Sequence, residues 1–351
     1  MLVTLLLALR LAPPAWALLP FTRADAVNPI LTPGSGVFEC PIRRELVHWE
    51  ADNVFNPAAV VYRGKIELVY RAEDKSGEGI GNHCSRLGLA KSSDGLHFRR
   101  EPVPVFYPAL DSIRRLEWPG GCEDPRIVEA PDGRFVMTYT MWDRKTARIG
   151  VATSRDLHHW KKIGCVFEGT PYRDVWSKSG SIVCERQGDQ MVARKVDGRY
   201  WMYWGDTDMF IATSPDLIHW KPAETGAAHR AVVLKRRLGK FDSSVCEPGP
   251  PALWTKHGIV LIYNGRSDRN GDPDLAEGTY AAGEALFDGK NPSKVIGRLD
   301  TYFMKPQRSY EVSGQYAAGC VFAEGLAHFK NRWFLYYGSS DSRISVATLK
   351  L

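Results

Sequence analysis

The sequence predicts an all-β fold, a five-bladed β-propeller. Two repeated patterns predict it: a tight turn followed by an aromatic strand and an acidic residue, and, after each copy, a strand of small residues closed by a Ser-x-Asp turn and an aromatic side chain. Strand signals run through the whole chain, and helical periodicity is almost absent. Copies spaced roughly sixty to seventy residues apart fit propeller blades, because each blade is one repeated small sheet.

The first pattern begins at a turn that contains glycine or asparagine, which is typical of the start of a β-hairpin. The five copies are residues 63–74, 132–143, 197–206, 257–268 and 330–341. Their closing acidic residues are Asp74, Asp143, Asp206, Asp268 and Asp341. We expect the aromatic strands to be the inner or second strands of the blades.

The second pattern is clearest in the first three repeats and predicts one outer hairpin for each blade. Its copies are residues 88–98, 150–160 and 211–220, with weaker copies at 283–288 and 345–350.

Residues 120–127 (GGCEDPRI) lie just before the second aromatic strand and place two carboxylates beside a proline and an arginine. Gly120 and Gly121 allow backbone angles closed to other residues, while Pro125 fixes its own φ and restricts Asp124. In a propeller the innermost strands line the channel and the loops of one mouth converge. We therefore expect a rigid, functional Asp124 at that mouth, together with the acidic ends of the aromatic strands. The alternative is a solvated turn in which Arg126 forms a surface ion pair.

Composition indicates one folded domain, residues 18–351, with enough apolar residues for a large core. The net charge is only +6 and no basic run exceeds residues 235–237, so nucleic acid is not an expected partner. The many tryptophans and tyrosines suit both propeller cores and sugar stacking. The carboxylates are dispersed and no Cys-x-x-Cys pair occurs, so we expect neither a metal nor a cofactor.

Residues 1–17 resemble a signal peptide, since an apolar run is followed by Ala15-Trp16-Ala17, a typical cleavage ending. This predicts a periplasmic or secreted protein with no membrane span after cleavage. Arg10 interrupts the apolar run, and the seven cysteines are odd in number and scattered, which favours the alternative of a cytoplasmic protein.

The chain resembles glycoside hydrolase family 130, five-bladed propellers that act on β-mannosides as phosphorylases or hydrolases. The matching pieces, in order, are residues 28–33, 53–59, 70–74, 121–127, 249–251, 310–314 and 336–341. The resemblance implies that Asp124 is the catalytic acid, acting through a sugar hydroxyl. It also implies that Asn56, Arg71 and Asp341 hold the sugar before the scissile bond. Tyr310, Lys178 and Asp206 are further candidates for substrate binding. Arg71 could instead form a buried ion pair with Glu73 or Asp74.

Hydrolysis needs a base that activates water, whereas phosphorolysis needs cations that bind phosphate. Phosphorylases of this family carry a His-Arg pair where this chain has residues 201–206 (WMYWGD), with no basic side chain. We therefore expect an inverting β-mannoside hydrolase with Glu247 or Glu185 as the base. Lys178, Arg194, Lys195, His229 and Arg230 keep open a phosphorylase that uses inorganic phosphate. The sequence also leaves open a furanosidase-like propeller and a non-catalytic sugar-binding propeller.

Overall fold

Each repeat predicted from the sequence forms one antiparallel sheet, and the five sheets are the blades of a β-propeller. The computed structural model describes residues 12–226 and 229–350. The predicted fold class is confirmed.

Three short strands precede the first blade: β1 (Thr22–Arg23), β2 (Val37–Cys40) and β3 (Glu45–His48). Blade 1 contains β4 (Asn53–Tyr62), β5 (Lys65–Glu73), β6 (Ser85–Ser92) and β7 (Arg99–Arg100). A single helical turn, α1 (Arg114–Glu117), leads into blade 2, with β8 (Gly121–Glu129), β9 (Phe135–Trp142), β10 (Ala147–Ser154) and β11 (Trp160–Cys165).

Blade 3 is the most elaborate, because a short hairpin extends its inner strand and another follows its outer edge. It contains β12 (Gly180–Gln187), β13 (Gln190–Ala193), β14 (Lys195–Val196), β15 (Arg199–Trp204), β16 (Met209–Ser214), β17 (Lys221–Pro222), β18 (Glu224–Thr225), β19 (His229–Arg230) and β20 (Val232–Leu234).

Blade 4 contains β21 (Val245–Pro248), β22 (Ala252–Thr255), β23 (Gly258–Arg266), β24 (Tyr280–Phe287) and β25 (Val295–Arg298). A 3₁₀ turn (Ser309–Glu311) precedes blade 5, which contains β26 (Val321–Phe329), β27 (Arg332–Ser339) and β28 (Arg343–Lys350).

The predicted aromatic strands are the second strands of the blades, and every one of them has a buried tyrosine at the same place in the repeat. These are Tyr70, Tyr139, Tyr203, Tyr263 and Tyr336. Gly88 and Gly150 on the third strands lie opposite Tyr70 and Tyr139. A Cβ at Gly88 would lie 2.4 Å from the Tyr70 ring, and one at Gly150 would lie 2.6 Å from the Tyr139 ring. The glycines of the second sequence pattern therefore provide room for these rings.

The Ser-x-Asp turns of the second pattern hold the outer edges of blades. In blade 2, Ser154 Oγ accepts the N–H of Asp156 at 3.1 Å, and Asp156 Oδ1 accepts the N–H of His159 at 2.8 Å. The same bonds recur at residues 92–97 and 214–219. The motif therefore has a structural role.

The ring is closed by the N-terminal segment, because β1 pairs antiparallel with β28. The Asn28 amide extends this seam by bonding both the N–H and the carbonyl of Val346 at 2.8 Å. Arg23 Nε donates to the buried Glu311 at 2.6 Å.

Part of the predicted signal peptide, residues 1–11, lies outside the described residues. In residues 12–226 and 229–350, no helix has the length and apolarity needed to span a membrane. All seven cysteines are buried and unpaired.

Candidate active site

Asp124 lies in a bulge of β8, the innermost strand of blade 2, with φ of 48°. Its buried carboxylate accepts hydrogen bonds at Oδ1 from Asn56 Nδ2 at 2.9 Å and Arg71 Nη1 at 3.0 Å. Burial would raise the pKa of Asp124, but Arg71, Lys178 and the bond from Asn56 lower it to about 2. The substrate-free protein therefore holds Asp124 ionised.

The same bulge occurs on the innermost strands of blades 1 and 5. It places Asn56 in β4, with φ of 46°, and Glu324 in β26. Asp341, which follows the second strand of blade 5, also has a positive φ of 50°. Left-handed backbone at non-glycine residues is uncommon and concentrates at functional sites. Gly338 makes room for this arrangement, because a Cβ there would lie 2.2 Å from Asn56 Oδ1.

Arg71 joins the carboxylates of blades 1 and 2. Its guanidinium donates to Glu73 at 2.7 Å, Glu123 at 2.8 Å and Asp124 at 3.0 Å, and its Nε donates to Ser85 Oγ at 3.1 Å. Of the two buried ion pairs considered for Arg71, the one with Glu73 is therefore present, and Arg71 also holds Asp124. Asp74 is not a partner, because it pairs with Arg86 at 2.7 Å.

Lys178 comes from the entry to blade 3 and donates to Glu123 Oε2 at 3.0 Å. Burial would lower the pKa of Lys178, but the carboxylates of Glu123 and Asp124 raise it. Lys178 is therefore a cation whose charge is already matched by carboxylates.

Arg126 is buried rather than part of a solvated turn, so the surface ion pair considered for it is wrong. Its guanidinium donates to the carbonyls of Asp124, Pro248 and Gly249 at 2.9–3.0 Å. It also lies 3.6 Å from Glu324. Arg126 thereby fixes the Asp124 bulge against the segment of blade 4 that carries Glu247.

Glu247 lies on β21, is buried, and accepts a hydrogen bond from Ser179 Oγ. Burial raises the pKa of Glu247 to about 8; the charges of Asp206 and Asp124 add to the rise, and Arg126 and Ser179 oppose it. Asp206 itself accepts a hydrogen bond from Trp176 Nε1, and burial raises its pKa.

Asp341 is the acidic end of the blade 5 aromatic strand. Burial raises its pKa to about 6; Arg71 opposes the rise, and Asp124 and Glu73 add to it. We call the end of the channel that holds Asp124, Lys178, Glu247 and Asp341 the catalytic mouth.

Comparison with known proteins identifies the family of this chain. The glycoside hydrolase 130 family model, described as beta-1,4-mannooligosaccharide phosphorylase, matches residues 26–351. The chain belongs to glycoside hydrolase family 130. It is thus an enzyme that processes glycosides rather than a non-catalytic sugar-binding propeller.

Individual relatives agree with the family assignment. A 1,2-beta-oligomannan phosphorylase from Thermoanaerobacter sp. (strain X514) is 33% identical over 308 residues, which are 86% of this chain and 92% of that protein. A solved glycosyl hydrolase from Bacteroides ovatus is 48% identical with a TM-score of 0.94, covering 97% of this chain and 96% of that one.

A second solved structure is described in these words: the GH130 family of mannoside phosphorylases contains glycoside hydrolases that target beta-1,2 mannosidic linkages in Candida mannan. It is 46% identical with a TM-score of 0.95, covering 97% of this chain and 96% of that one.

Two residues predicted for the site of this family 130 enzyme lie outside the cluster. Glu185 is near the end of β12, where it pairs with Arg194 and accepts a bond from Gln187 at 2.9 Å. We call that end of the channel the far mouth. The Tyr310 hydroxyl donates to Asp25 at 3.3 Å on the N-terminal segment. Glu185 is therefore not placed to act as the base beside Asp124, and substrate binding by Tyr310 stays a prediction.

Three of the other basic residues considered for phosphate binding contact aromatic rings. Arg194 lies 3.8 Å from the centre of the Trp254 ring, Lys195 lies 4.9 Å from that of Tyr200, and Arg230 lies 4.1 Å from that of Phe210. Each contact gives these cations a structural role.

Four of the five acidic ends of the aromatic strands divide into two groups, and the fifth, Asp268, accepts the backbone N–H of Asn270 at 2.8 Å. Asp206 and Asp341 act on the catalytic mouth, as predicted, because they couple electrostatically to Glu247 and Asp124. Asp74 and Asp143 instead pair with arginines of their own blades, Asp143 with Arg148 at 2.9 Å.

Several side chains at the catalytic mouth were missed by sequence reasoning, namely Ser179, Trp176 and Glu324. Glu324 had a usable signal, since it occupies the repeat position of Asn56 and Asp124 on the first strand of its blade. Burial raises the pKa of Glu324 well above its usual value, against the effect of Arg126. In the described part of the chain, no three His, Cys, Asp or Glu side chains are grouped to hold a metal ion.

Proposed function

We propose that this family 130 enzyme hydrolyses β-mannosides with inversion, using water rather than phosphate as the acceptor. The observation that carries the proposal is the charge balance of the catalytic mouth. Among the described residues, seven carboxyl groups surround three cations, Arg71, Arg126 and Lys178. The seven are Glu73, Glu123, Asp124, Asp206, Glu247, Glu324 and Asp341.

The three cations are also occupied. Arg71 and Lys178 donate to carboxylates, and Arg126 donates to three backbone carbonyls. A phosphate dianion would have to displace these bonds and lie among carboxyl groups, with no unpaired cation at the catalytic mouth to hold it among the described residues, which is unfavourable in a buried site. Water has no such cost.

In the proposed reaction, Glu247 is the base that takes a proton from water, and the water oxygen forms the new bond to the anomeric carbon. The glycosidic bond breaks, and the leaving oxygen receives a proton from Asp124 through a sugar hydroxyl. In the substrate-free protein the proton of this pair is on Glu247, because its pKa is raised and that of Asp124 is lowered.

Substrate binding has to shift the proton from Glu247 to Asp124. A mannoside that takes over the hydrogen bonds of Asn56 and Arg71 removes the groups that lower the pKa of Asp124. Asp124 can then carry the proton, while a water that donates to Glu247 favours its ionised form. Asn56, Arg71 and Asp341 thus have a second role in binding the sugar.

β-1,2-Linked mannosides are the first substrates to test, because the Thermoanaerobacter relative and one of the structures described above are both named for β-1,2 linkages. The phosphorylase remains the second candidate. It is favoured by the names of the curated relatives and by the presence of Lys178 beside Asp124.

The deciding experiment is a product assay on β-1,2- and β-1,4-linked mannobiose, with and without inorganic phosphate. We expect free mannose without phosphate and no mannose 1-phosphate when phosphate is added. Mannose 1-phosphate that forms only with phosphate, with no free mannose in its absence, would overturn the proposal in favour of phosphorolysis.

A further inference from the structure

Glu284 is a buried carboxyl group far in sequence from the catalytic mouth. It lies on β24 opposite Ile262 of β23, and its backbone carbonyl accepts the N–H of Leu299. The side chain has no exposed surface. Its Oε2 accepts the backbone N–H of Leu18 at 3.0 Å, and its Oε1 has no hydrogen-bond partner among the described residues.

This environment is costly for a carboxyl group, because a buried polar atom without a partner loses its hydration and gains nothing in return. Arg298, on the adjacent β25, does not compensate it, since its guanidinium bonds Asp242 and Tyr263. Burial raises the pKa of Glu284 to about 8, and the Leu18 N–H is the group that lowers it. The site therefore lacks a positive charge next to Leu18.

The sequence predicts a positive charge at the Leu18 nitrogen. The cleavage ending Ala15-Trp16-Ala17 places the signal-peptide cut between Ala17 and Leu18. The donor to Glu284 is the nitrogen of that same peptide bond. The two observations are independent, since one comes from the pattern of the leader and the other from a contact with a strand of blade 4.

We propose that Leu18 becomes the N-terminus of the mature protein and that its α-ammonium group forms a buried ion pair with Glu284. Water cleaves the peptide bond: the Ala17 carbonyl carbon gains the hydroxyl, and the Leu18 nitrogen gains protons and becomes an ammonium group. One N–H donor is replaced by three charged donors, which can satisfy Oε1 as well as Oε2.

The location gives this pair a structural purpose. Leu18 packs against the main apolar core, and β1, a few residues later, pairs with β28 to close the ring. An ion pair at Leu18 would anchor the closing strand between blades 4 and 5. Cleavage also removes Trp16, which lies beside Gly297 in the uncut chain. The inference does not depend on the reaction that the enzyme catalyses.

The test compares two chains made by scarless removal of a fusion partner, one beginning at Leu18 and one at Ala17. We expect the Leu18 chain to unfold about 2–6 °C higher at neutral pH, because a charge-assisted bond replaces a neutral one. Glu284→Gln keeps the size of the side chain but removes its charge, so it should bring the two chains to the same unfolding temperature.

A second readout reports the amine directly. The α-amine of the Leu18 chain should resist acylation by an amine-reactive ester under native conditions, while that of the Ala17 chain should react. Equal unfolding temperatures together with equal reactivity would overturn the proposal, as would a difference that persists in Glu284→Gln. An intact Met1 in protein from the native cell, read by mass spectrometry, would overturn processing at this bond.

Discussion

Glu247 and Glu185 have the same local sequence, Cys-Glu, but lie at opposite mouths of the channel. Each follows a cysteine, and each lies on an inner strand, in blades 4 and 3. Glu247 is fully buried at the catalytic mouth and bonds Ser179. Glu185 is partly exposed at the far mouth and pairs with Arg194.

The difference lies in the position of each residue along its strand. Ser179, which meets Glu247, immediately precedes β12, whereas Glu185 lies near the end of that strand. At about 3.3 Å per residue, the strand carries Glu185 roughly 20 Å from the catalytic mouth. The same dipeptide thus provides a catalytic candidate in one blade and a surface ion pair in the next.

Replacement of Asp124 by Asn should have the largest effect. We expect kcat to fall about a hundredfold to ten-thousandfold, because a positioned proton donor is lost, with a much smaller change in substrate binding. Steady-state kinetics and binding measured by calorimetry check this. A kcat within about threefold of wild type would remove Asp124 from the reaction.

The two glutamates can be compared directly by changing each to Ala. Glu247→Ala should lower kcat by about a hundredfold or more, since the base is lost, and azide or formate should partly restore turnover by attacking the anomeric carbon. Glu185→Ala is the matched control and should stay within about twofold of wild type. Equal losses in both variants, or no anion rescue in Glu247→Ala, would contradict the proposed role of the catalytic mouth.

The pH dependence of kcat/KM tests the protonation of Asp124 and Glu247. The pKa of Glu247 is raised to about 8 and that of Asp124 is lowered to about 2, so the free pair carries one proton between these values and loses it as pH rises through about 8. We expect kcat/KM, which reports on the free enzyme, to be level below about 8 and to decrease above it, because the proton that Asp124 must deliver is then lost. An increase through the same range would mean that the reaction does not use the proton of this pair.

Replacement of Trp176, at the rim of the catalytic mouth, should have a smaller effect. Its ring is 45% exposed, it bonds Asp206, and it packs edge-on against Trp142 at 5.4 Å. An exposed indole beside the acids suits stacking on a sugar, so Trp176→Ala should raise KM for oligomannosides about three- to tenfold with little change in kcat.

Trp201 is the control for this variant, because it lies at the start of β15 towards the far mouth and donates to the Val196 carbonyl. Trp201→Ala should leave KM unchanged. If the two variants raise KM equally, Trp176 has no specific contact with substrate.

The smallest effect should come from the far mouth itself. About a third of the Arg194 side chain and a quarter of the Glu185 side chain are exposed, so their ion pair contributes little to stability. Glu185→Ala should change the free energy of unfolding by about 1 kcal/mol or less, measured by denaturant titration. A loss of several kcal/mol would mean that the far mouth is a structural core.

The sequence by itself determined the repeat, the five blades, the aromatic second strands and the placement of Asp124. These follow from local rules: period-two strands, turn residues, and, in blades 1, 2 and 4, a glycine opposite the buried tyrosine. The restriction that Pro125 and the glycines impose on Asp124 is also local, so its rigid backbone could be predicted, although its left-handed φ was not.

Only the tertiary structure decided which acids meet. Glu185, Tyr310 and Asp74 have sequence contexts as suggestive as those of Glu247 and Asp341, yet they bond elsewhere. Strand direction and the order of blades bring residues far apart in sequence to one mouth, and a local pattern does not encode that distance. The protonation of Asp124 and Glu247 depends on the same long-range contacts, because burial and neighbouring charges from several blades set both pKa values.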